Sequence, residues 1–84
     1  MGFVDHARDD AAAKAAADAY RAGRHVLTFK IVQAGTNSRS TGIMPGVGEQ
    51  IEAIEAQGWY LDKMSAEALG GERTALICLF RRRP

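Results

Sequence analysis

The segment RTALICLF, residues 73–80, limits the folds open to this 84-residue chain more than any other feature. Side chains along a strand alternate between two faces, and here both sets are apolar. One face carries Ala75, Ile77 and Leu79, and the other carries Leu76, Cys78 and Phe80. A strand that is apolar on both faces is typical of the centre of a sheet with cover on each side. The sequence therefore predicts a sheet with this strand in the middle.

Two segments have the features of helices. Residues 5–22 are rich in Ala, with Asp5 as a candidate N-cap and Gly23 as a natural stop. This helix carries a stripe of alternating charge, formed by Asp10, Lys14, Asp18 and Arg21. A second helix is expected to begin at Val47 and to end at Gly58, which would act as a left-handed cap.

Two more segments have the features of strands. Residues 25–33, HVLTFKIVQ, place Leu27, Phe29 and Ile31 on one face. Residues 59–64, WYLDKM, place Trp59 and Leu61 on one face. Between the last two strands, residues 65–72, SAEALGGE, are predicted to form a turn region, and residues 34–46 are predicted to form a long loop.

The order of these segments predicts an α+β fold in a single domain, residues 1–84. An Ala-rich N-terminal helix, residues 1–23, precedes a β-α-β-β unit, residues 24–84. A central third strand gives a three-stranded antiparallel sheet of order 1-3-2, with the second helix on one face. The other face would then need cover from the Ala-rich helix, from a second copy of the chain, or from both.

The predicted core consists of large apolar residues from the second helix and the three strands. These residues are Trp59, Leu61, Ile51, Ile54, Phe29 and Phe80. Trp59 is the only Trp in the chain, and its position at the start of a strand raises the question whether it binds a ligand. We expect it to be buried instead, with its indole N–H near a polar group at the rim of the core.

The stretch IEAIEAQGWYLDKM, followed by a turn, an apolar strand and FRRR, resembles a family of short bacterial domains of unknown function. Such domains show a strand, a helix ending in Gly-Trp, a short strand, and a last strand ending in Phe with basic residues. The resemblance covers roughly residues 25–83 and rests on Gly58, Trp59, Leu61, Phe80 and Arg81. Tyr60 departs from it, since many members have Glu there. The resemblance implies the β-α-β-β fold, and it implies no established activity.

Composition excludes several classes of function. The net charge of +1 gives no overall attraction to nucleic acid or anionic lipid, and no apolar run is long enough to span a membrane. Cys78 is the only Cys, and His6 and His25 are far apart, so we expect neither an internal disulfide nor a metal site nor a cofactor. A lone Cys, and a start without the layout of an export signal, predict a cytoplasmic protein.

A chain this short buries only about three-fifths of its unfolded surface, and such chains often gain stability by self-association. The first hypothesis is therefore a protein that self-associates or binds another protein, without catalysis. The alternative is a small module that binds nucleic acid or another anion through the 34–46 loop and the C-terminal basic end. Its candidate residues are Asn37, Arg39, Arg81, Arg82 and Arg83. Nucleic acid is the less favoured partner, because a terminal run of charge usually forms a solvated tail.

Overall fold

The computed structural model describes residues 3–33, 44, 46–70 and 73–84, with side chains described from residue 7. Two helices and three strands follow one another along the chain. They are α1 (Phe3–Arg21), β1 (Val26–Gln33), α2 (Val47–Glu55), β2 (Trp59–Gly70) and β3 (Arg73–Arg82). The side chain of Asp5, the predicted N-cap, and residues 34–43 of the predicted loop lie outside this description.

The three strands form one antiparallel sheet of order β1-β3-β2, which confirms the predicted α+β fold and topology. Every residue of β1 pairs with β3, from Val26 opposite Arg81 to Gln33 opposite Thr74. On its other side, β3 pairs with β2 from Trp59 opposite Arg82 onward. The strand that is apolar on both faces therefore lies at the centre of the sheet.

The hairpin of β2 and β3 is longer than the sequence predicts, and the turn region predicted for residues 65–72 is wrong in extent. β2 continues to Gly70, and β3 continues two residues beyond Phe80 to Arg82. The register shifts between Leu61 and Lys63 and again between Ala68 and Gly70, so the period of two is broken within β2. Ser, Ala, Glu and Gly are also poor strand formers, and pairing with the apolar β3 overrides their preference.

The core lies between the helices and one face of the sheet, which we call the covered face. Three of the six residues assigned to the core from sequence are fully buried: Trp59, Ile54 and Phe80. The other three are partly buried and pack against the core: Phe29, Ile51 and Leu61. Leu76 and Cys78 of β3 complete this face, and both are buried. The cross-strand pairs Leu27–Phe80, Phe29–Cys78 and Ile31–Leu76 place the apolar residues of β1 beside them.

Helix α1 packs mainly on α2 through its small residues. Ala12 and Ala16, four positions apart, are fully buried, and Ala19 packs against the same cluster. The Trp59 indole N–H donates a hydrogen bond of 3.0 Å to the carbonyl oxygen of Ala16. Trp59 thus has an apolar environment around its ring and a polar partner for its N–H, and it joins α1 to the start of β2.

Gly58 allows α1 and β2 to approach closely. Its φ of +102° lies in the left-handed region that favours glycine. The prediction that the second helix ends at Gly58 is wrong, because α2 ends at Glu55 with Ala56 as its cap, and Gly58 follows two residues later. A Cβ atom at this position would lie 2.5 Å from the ring of Tyr20. The Tyr20 ring in turn meets the Trp59 ring edge to face, with 6.0 Å between the centroids. Glycine is therefore needed here both for the backbone turn and for the space that Tyr20 fills.

Candidate functional site: the open face of the sheet

Both helices lie on the covered face of the sheet. The buried alanines of α1 belong to the same cluster as Trp59, Cys78 and Phe80, all of which lie on that face. The sequence allows two sources of cover for the opposite face, the Ala-rich helix and a second copy of the chain. The position of α1 excludes the first. Within residues 3–33, 46–70 and 73–84, no helix or strand packs on that opposite face, which we call the open face.

The open face has an apolar centre between two more polar strands. Its central row comes from β3 and contains Ala75, Ile77 and Leu79, followed by Arg81. The row from β1 contains Val26, Thr28, Lys30 and Val32. The row from β2 contains Tyr60, Lys63, Ser65 and Glu67, because the shift at Asp62 turns Lys63 toward the open side. The face is therefore apolar along its middle and along part of the β1 edge.

Large apolar side chains on this face remain in contact with solvent. Ile77 is 38% exposed, Val32 is 39% exposed and Tyr60 is 39% exposed. Ala75 is fully buried between its cross-strand neighbours Val32 and Glu67. Antiparallel sheets commonly leave one face to solvent, but that face is then mainly polar, so an exposed Ile in an apolar row is unusual.

The two edges of the sheet differ in how well they are protected against pairing with another strand. β2 is irregular, with register shifts at Asp62 and at Leu69, and bulges of this kind discourage further pairing. β1 is regular over its whole length and contains no Pro. Lys30 is the single charged residue in β1. In the described part of the chain, β1 pairs only with β3, and no described strand pairs with its outer edge.

The predicted basic end, Arg81–Arg83, is brought together at one end of the sheet but is used within the molecule. The Arg82 guanidinium donates hydrogen bonds to the carbonyl oxygens of Tyr20 (2.6 Å), in the last turn of α1, and of Arg24 (2.5 Å), just beyond the helix. It also lies over the Tyr20 ring, 3.9 Å from the centroid. Arg82 therefore binds the C-terminal end of α1, where the Tyr20 carbonyl oxygen also accepts a hydrogen bond from the Gly23 N–H.

The two arginines beside it are also engaged. Arg81 Nε donates a 2.7 Å hydrogen bond to the Asp62 carboxylate, and this bond lowers the pKa of Asp62 below its ordinary value. Arg83 Nε donates to the carbonyl oxygen of Trp59 at 3.1 Å, and its backbone N–H donates to that of Gly58. The basic end is thus part of the sheet and of its contact with α1, and it is not a solvated tail.

The other half of the predicted anion site, Asn37 and Arg39, lies outside the described residues. The segment that carries them leaves β1 at Gln33, which pairs with Thr74. Arg81 pairs with Val26 at the other end of β1. The loop therefore starts at the end of the sheet opposite the basic end, about 24 Å away at the usual rise of a strand.

No described residue has the environment expected of a catalytic group. Burial raises the pKa of the Cys78 thiol, which favours the unreactive protonated form. His25 precedes β1 and Asp62 lies in β2, so the central strand separates them, and Asp62 is bound to Arg81. No group of three or more His, Cys, Asp or Glu side chains in the described ranges is placed to hold a metal ion.

Two features of this part of the molecule were not predicted from the sequence. The role of Arg82 could have been inferred by extending the strand pairing, because the pair Trp59–Arg82 places it next to the Trp that contacts α1. The placement of both helices on one face carries no clear signal. The stripe of Ala residues in α1 fits a sheet, a helix or another copy equally well.

Among the described residues, no helix combines the length and the apolar character needed to cross a membrane. Comparison of the chain with models of protein families, with curated proteins and with solved structures finds no match in any of the three. The resemblance to short bacterial domains of unknown function therefore stays a prediction.

Proposed function

We propose that this protein self-associates through its sheet and acts as a non-catalytic interaction module. The observation that carries the proposal is the open face, where Ile77 and Leu79 of the central strand have no cover in the described part of the chain. A second copy has the same apolar row, so two open faces placed against each other would bury both. This arrangement is a two-layer sandwich of the kind that sheets with one open apolar face commonly form.

The size of the open face limits how tightly such a pair would hold. Three strands about 4.8 Å apart and eight paired positions at about 3.4 Å give a flat area of about 14 by 27 Å, or about 400 Å². Stable interfaces bury about 800 Å² on each partner. Face packing alone therefore supports a weak association that depends on concentration, and a stable assembly requires a further contact surface.

Sedimentation velocity over a range of protein concentrations tests the proposal. We expect a mass above the 9.1 kDa of one chain, increasing with concentration. Replacing Ile77 by Lys should shift the protein toward the monomer, because the charge lies at the centre of the apolar row and would lose its water in the assembly.

The variant Met64→Lys is a matched control. Met64 is 49% exposed and pairs with Cys78, so it lies on the covered face of the same hairpin. It adds the same charge on the other side of the sheet and should leave the mass unchanged. A wild-type protein that remains a 9.1 kDa monomer at every concentration would exclude self-association. Equal effects of the two variants would exclude the open face as the interface.

We also propose a second candidate, which is binding of single-stranded nucleic acid on the same open face. Tyr60 is exposed there and pairs directly with Arg81, while Lys30 and Lys63 lie on the flanking strands. An exposed aromatic ring beside basic side chains is a common platform for stacking and phosphate contact. Arg81 is already paired with Asp62, and Glu67 adds a negative charge to the same face. The face as a whole therefore favours self-association over nucleic-acid binding.

Fluorescence anisotropy with labelled single-stranded DNA and RNA at low salt tests this second candidate. Nucleic-acid binding predicts an affinity that falls steeply as salt is added, and that is lost in the double variant Tyr60→Ala, Lys63→Glu. Ile77→Lys, which adds a positive charge, should strengthen such binding while it weakens self-association. The same variant therefore separates the two candidates by the sign of its effect.

We place this activity in the cytoplasm, on the ground that the chain has a single, buried Cys and no disulfide. The proposal includes no catalytic step.

A further inference from the structure

The outer edge of β1 has a sequence that matches itself when read backwards. Around Phe29, the residues of Val26–Val32 read Val-Leu-Thr-Phe-Lys-Ile-Val. Reversed, the same segment reads Val-Ile-Lys-Phe-Thr-Leu-Val, with apolar residues on apolar ones and polar residues on polar ones. An antiparallel pair of identical strands aligns a sequence with its own reverse, so this pattern bears directly on self-pairing.

From this pattern and the regular edge of β1, we infer that two copies join through β1 in a register centred on Phe29. The inference rests on the proposed self-association and specifies its symmetry and its contacts. The two three-stranded sheets would then form one six-stranded sheet around a two-fold axis. The occupant of the edge is thus a second copy of this chain.

The register follows from which residues share a face. Directly opposed residues in an antiparallel pair point to the same side of the sheet, so only residues that share a face can oppose each other. Centring on Phe29 puts Phe29 opposite Phe29 of the second copy and Leu27 opposite Ile31, all on the covered face. On the open face it puts Val26 opposite Val32 and Thr28 opposite Lys30.

Other registers with the same parity are less favourable. Centring on Lys30 would place the two Lys30 side chains directly opposite each other, and like charges in that position destabilise a pair. Centring on Ile31 would oppose Phe29 with Gln33 and Lys30 with Val32, which mixes polar and apolar residues. Centring on Thr28 would oppose Val26 with Lys30 and shorten the paired segment.

The burial of β1 is consistent with such a partner. Ile31 is buried, whereas Leu27 and Phe29 on the same face are only partly buried, although they pack against the core. In a pair centred on Phe29, the second copy would place its own Phe29 and Ile31 beside these partly exposed side chains. Aromatic pairs and aliphatic pairs across strands each contribute to the stability of a sheet.

Edge pairing also increases the area of the open face that is available for packing. Joining two sheets side by side doubles the open face, from about 400 Å² to about 800 Å² of flat area, which reaches the size of a standard interface on one partner. The row of β1 side chains on the open face would then lie near the middle of the enlarged face. Pairing at β1 thus gives the open face the extent that stable packing requires.

Disulfide trapping tests the register with two single variants, Thr28→Cys and Lys30→Cys, one of them carrying an affinity tag. Both positions are exposed and lie on the open face, so neither change disturbs the core. In the proposed register residue 28 of one copy opposes residue 30 of the other, with Cα atoms about 4.5–5.5 Å apart, which a disulfide can bridge. Two residues 28 lie diagonally, about 7–8 Å apart.

Mixing the two variants under mild oxidation should give a mixed disulfide at twice the 9.1 kDa of one chain as the main cross-linked product. Each variant alone should give little, and the wild type, whose Cys78 is buried, should give none. A cross-link formed mainly by Lys30→Cys alone would support the register centred on Lys30 and overturn the one proposed.

The outcomes separate this inference from the proposal on which it rests. If the wild type is heavier than one chain but the mixed variants form no disulfide, then self-association is supported and pairing at β1 is excluded. A wild type that is monomeric at all concentrations would exclude both, and would leave the β1 edge to a different chain. Circular dichroism of each variant establishes that it is folded before either conclusion is drawn.

A charge change provides an independent test without cysteine. Thr28→Arg would place Arg opposite Lys30 twice in the symmetric pair, and we expect it to raise the dissociation constant roughly tenfold. Adding Lys30→Glu to the same chain should restore association, since the opposed charges then attract. Met64→Arg, on the covered face of β2 and away from the β1 edge, is the control. Failure of the second change to restore association would overturn the register.

Discussion

The two faces of β3 are built from similar side chains but have different surroundings. Leu76, Cys78 and Phe80 on the covered face are 0–3% exposed, whereas Ile77 between them is 38% exposed. The difference comes from the positions of the helices, since both α1 and α2 pack on the same side. The alternation of apolar residues thus indicates that a face requires cover, but not which chain supplies it.

Truncating one residue on each face of β3 should give the largest contrast. Phe80→Ala is expected to lower the free energy of unfolding by about 3–5 kcal/mol, because it leaves a cavity beneath the helices. Ile77→Ala should cost less than about 1 kcal/mol in the dilute protein, since solvent already reaches this side chain. Chemical denaturation followed by circular dichroism measures both changes.

A loss of this size is a large part of the total stability expected for 84 residues, so we expect Phe80→Ala to be partly unfolded. Phe80→Leu then provides the measurement, with an expected cost of about 1–2 kcal/mol. Equal costs for changes at Phe80 and Ile77 would contradict the distinction between the faces. A cost at Ile77 that grows with protein concentration would show that the open face is covered in the assembly.

The contact of α1 with the start of β2 keeps this helix on the covered face. The variant Gly58→Ala tests how much that contact contributes to stability. Gly58→Ala must adopt a positive φ and must also displace the Tyr20 ring, which lies 2.5 Å from the added Cβ. Gly23→Ala is matched, because Gly23 also follows a helix and has a φ of +81°, but no atom lies within 4 Å of its Cβ position.

We expect Gly23→Ala to cost about 1–2 kcal/mol for backbone strain alone, and Gly58→Ala to cost roughly twice as much. Thermal unfolding monitored by circular dichroism compares the two. The extra cost at Gly58 should be accompanied by a change in Trp59 fluorescence, because Tyr20 packs against that ring. Equal costs would mean that α1 moves to accommodate the added Cβ without loss of stability, and that its contact with β2 contributes little to the free energy of unfolding.

Arg82 is the next contact that holds α1 in place. Arg82→Met keeps an apolar stem but removes the hydrogen bonds to the carbonyl oxygens of Tyr20 and Arg24. The expected loss is about 1–2 kcal/mol of unfolding free energy, since hydrogen bonds from a charged group are worth more than neutral ones. Arg21→Met is the control, because Arg21 forms only an exposed pair with Asp18 and should cost less than about 0.5 kcal/mol.

The sequence predicted the topology because β3 has a strong pattern. Its two apolar faces require a central position, and the order β1-β3-β2 follows from that position and from the lengths of the connections. The extent of β2 was not predictable in the same way. The bulge at Asp62 reverses which face each later residue occupies, so no single period of two describes Trp59–Gly70.

The candidate site could be predicted only in part. The need for cover on a second face was evident from Ile77 and Leu79, but the exclusion of α1 from that face depends on three-dimensional contacts. The main one is the hydrogen bond from Trp59 to the Ala16 carbonyl oxygen. Every residue has a backbone carbonyl, so the residue types do not indicate which carbonyl accepts the hydrogen bond from an indole N–H. The same holds for Arg82, which binds carbonyl oxygens instead of a carboxylate.

The smallest expected effect concerns the ion pair on the open side of the sheet. The hydrogen bond from Arg81 holds the pKa of Asp62 below its ordinary value of 3.8, so folding favours the ionised carboxylate. The resulting stabilisation is present above that ordinary value and is lost as the pH falls through the lower pKa of the folded state. Asp62→Asn should therefore lower the melting temperature slightly at pH 7, and the difference from wild type should disappear in acid.

Glu67→Gln, on the same strand and without an ion pair among the described residues, should not show this pattern. The pair is partly exposed, so the difference at pH 7 should be small and should decrease with added salt. A difference that persists in acid would mean that Asp62 acts through the bulge geometry and not through its charge. The ion pair would then contribute nothing to the free energy of unfolding, and the stability of the sheet would come from the packing on its covered face.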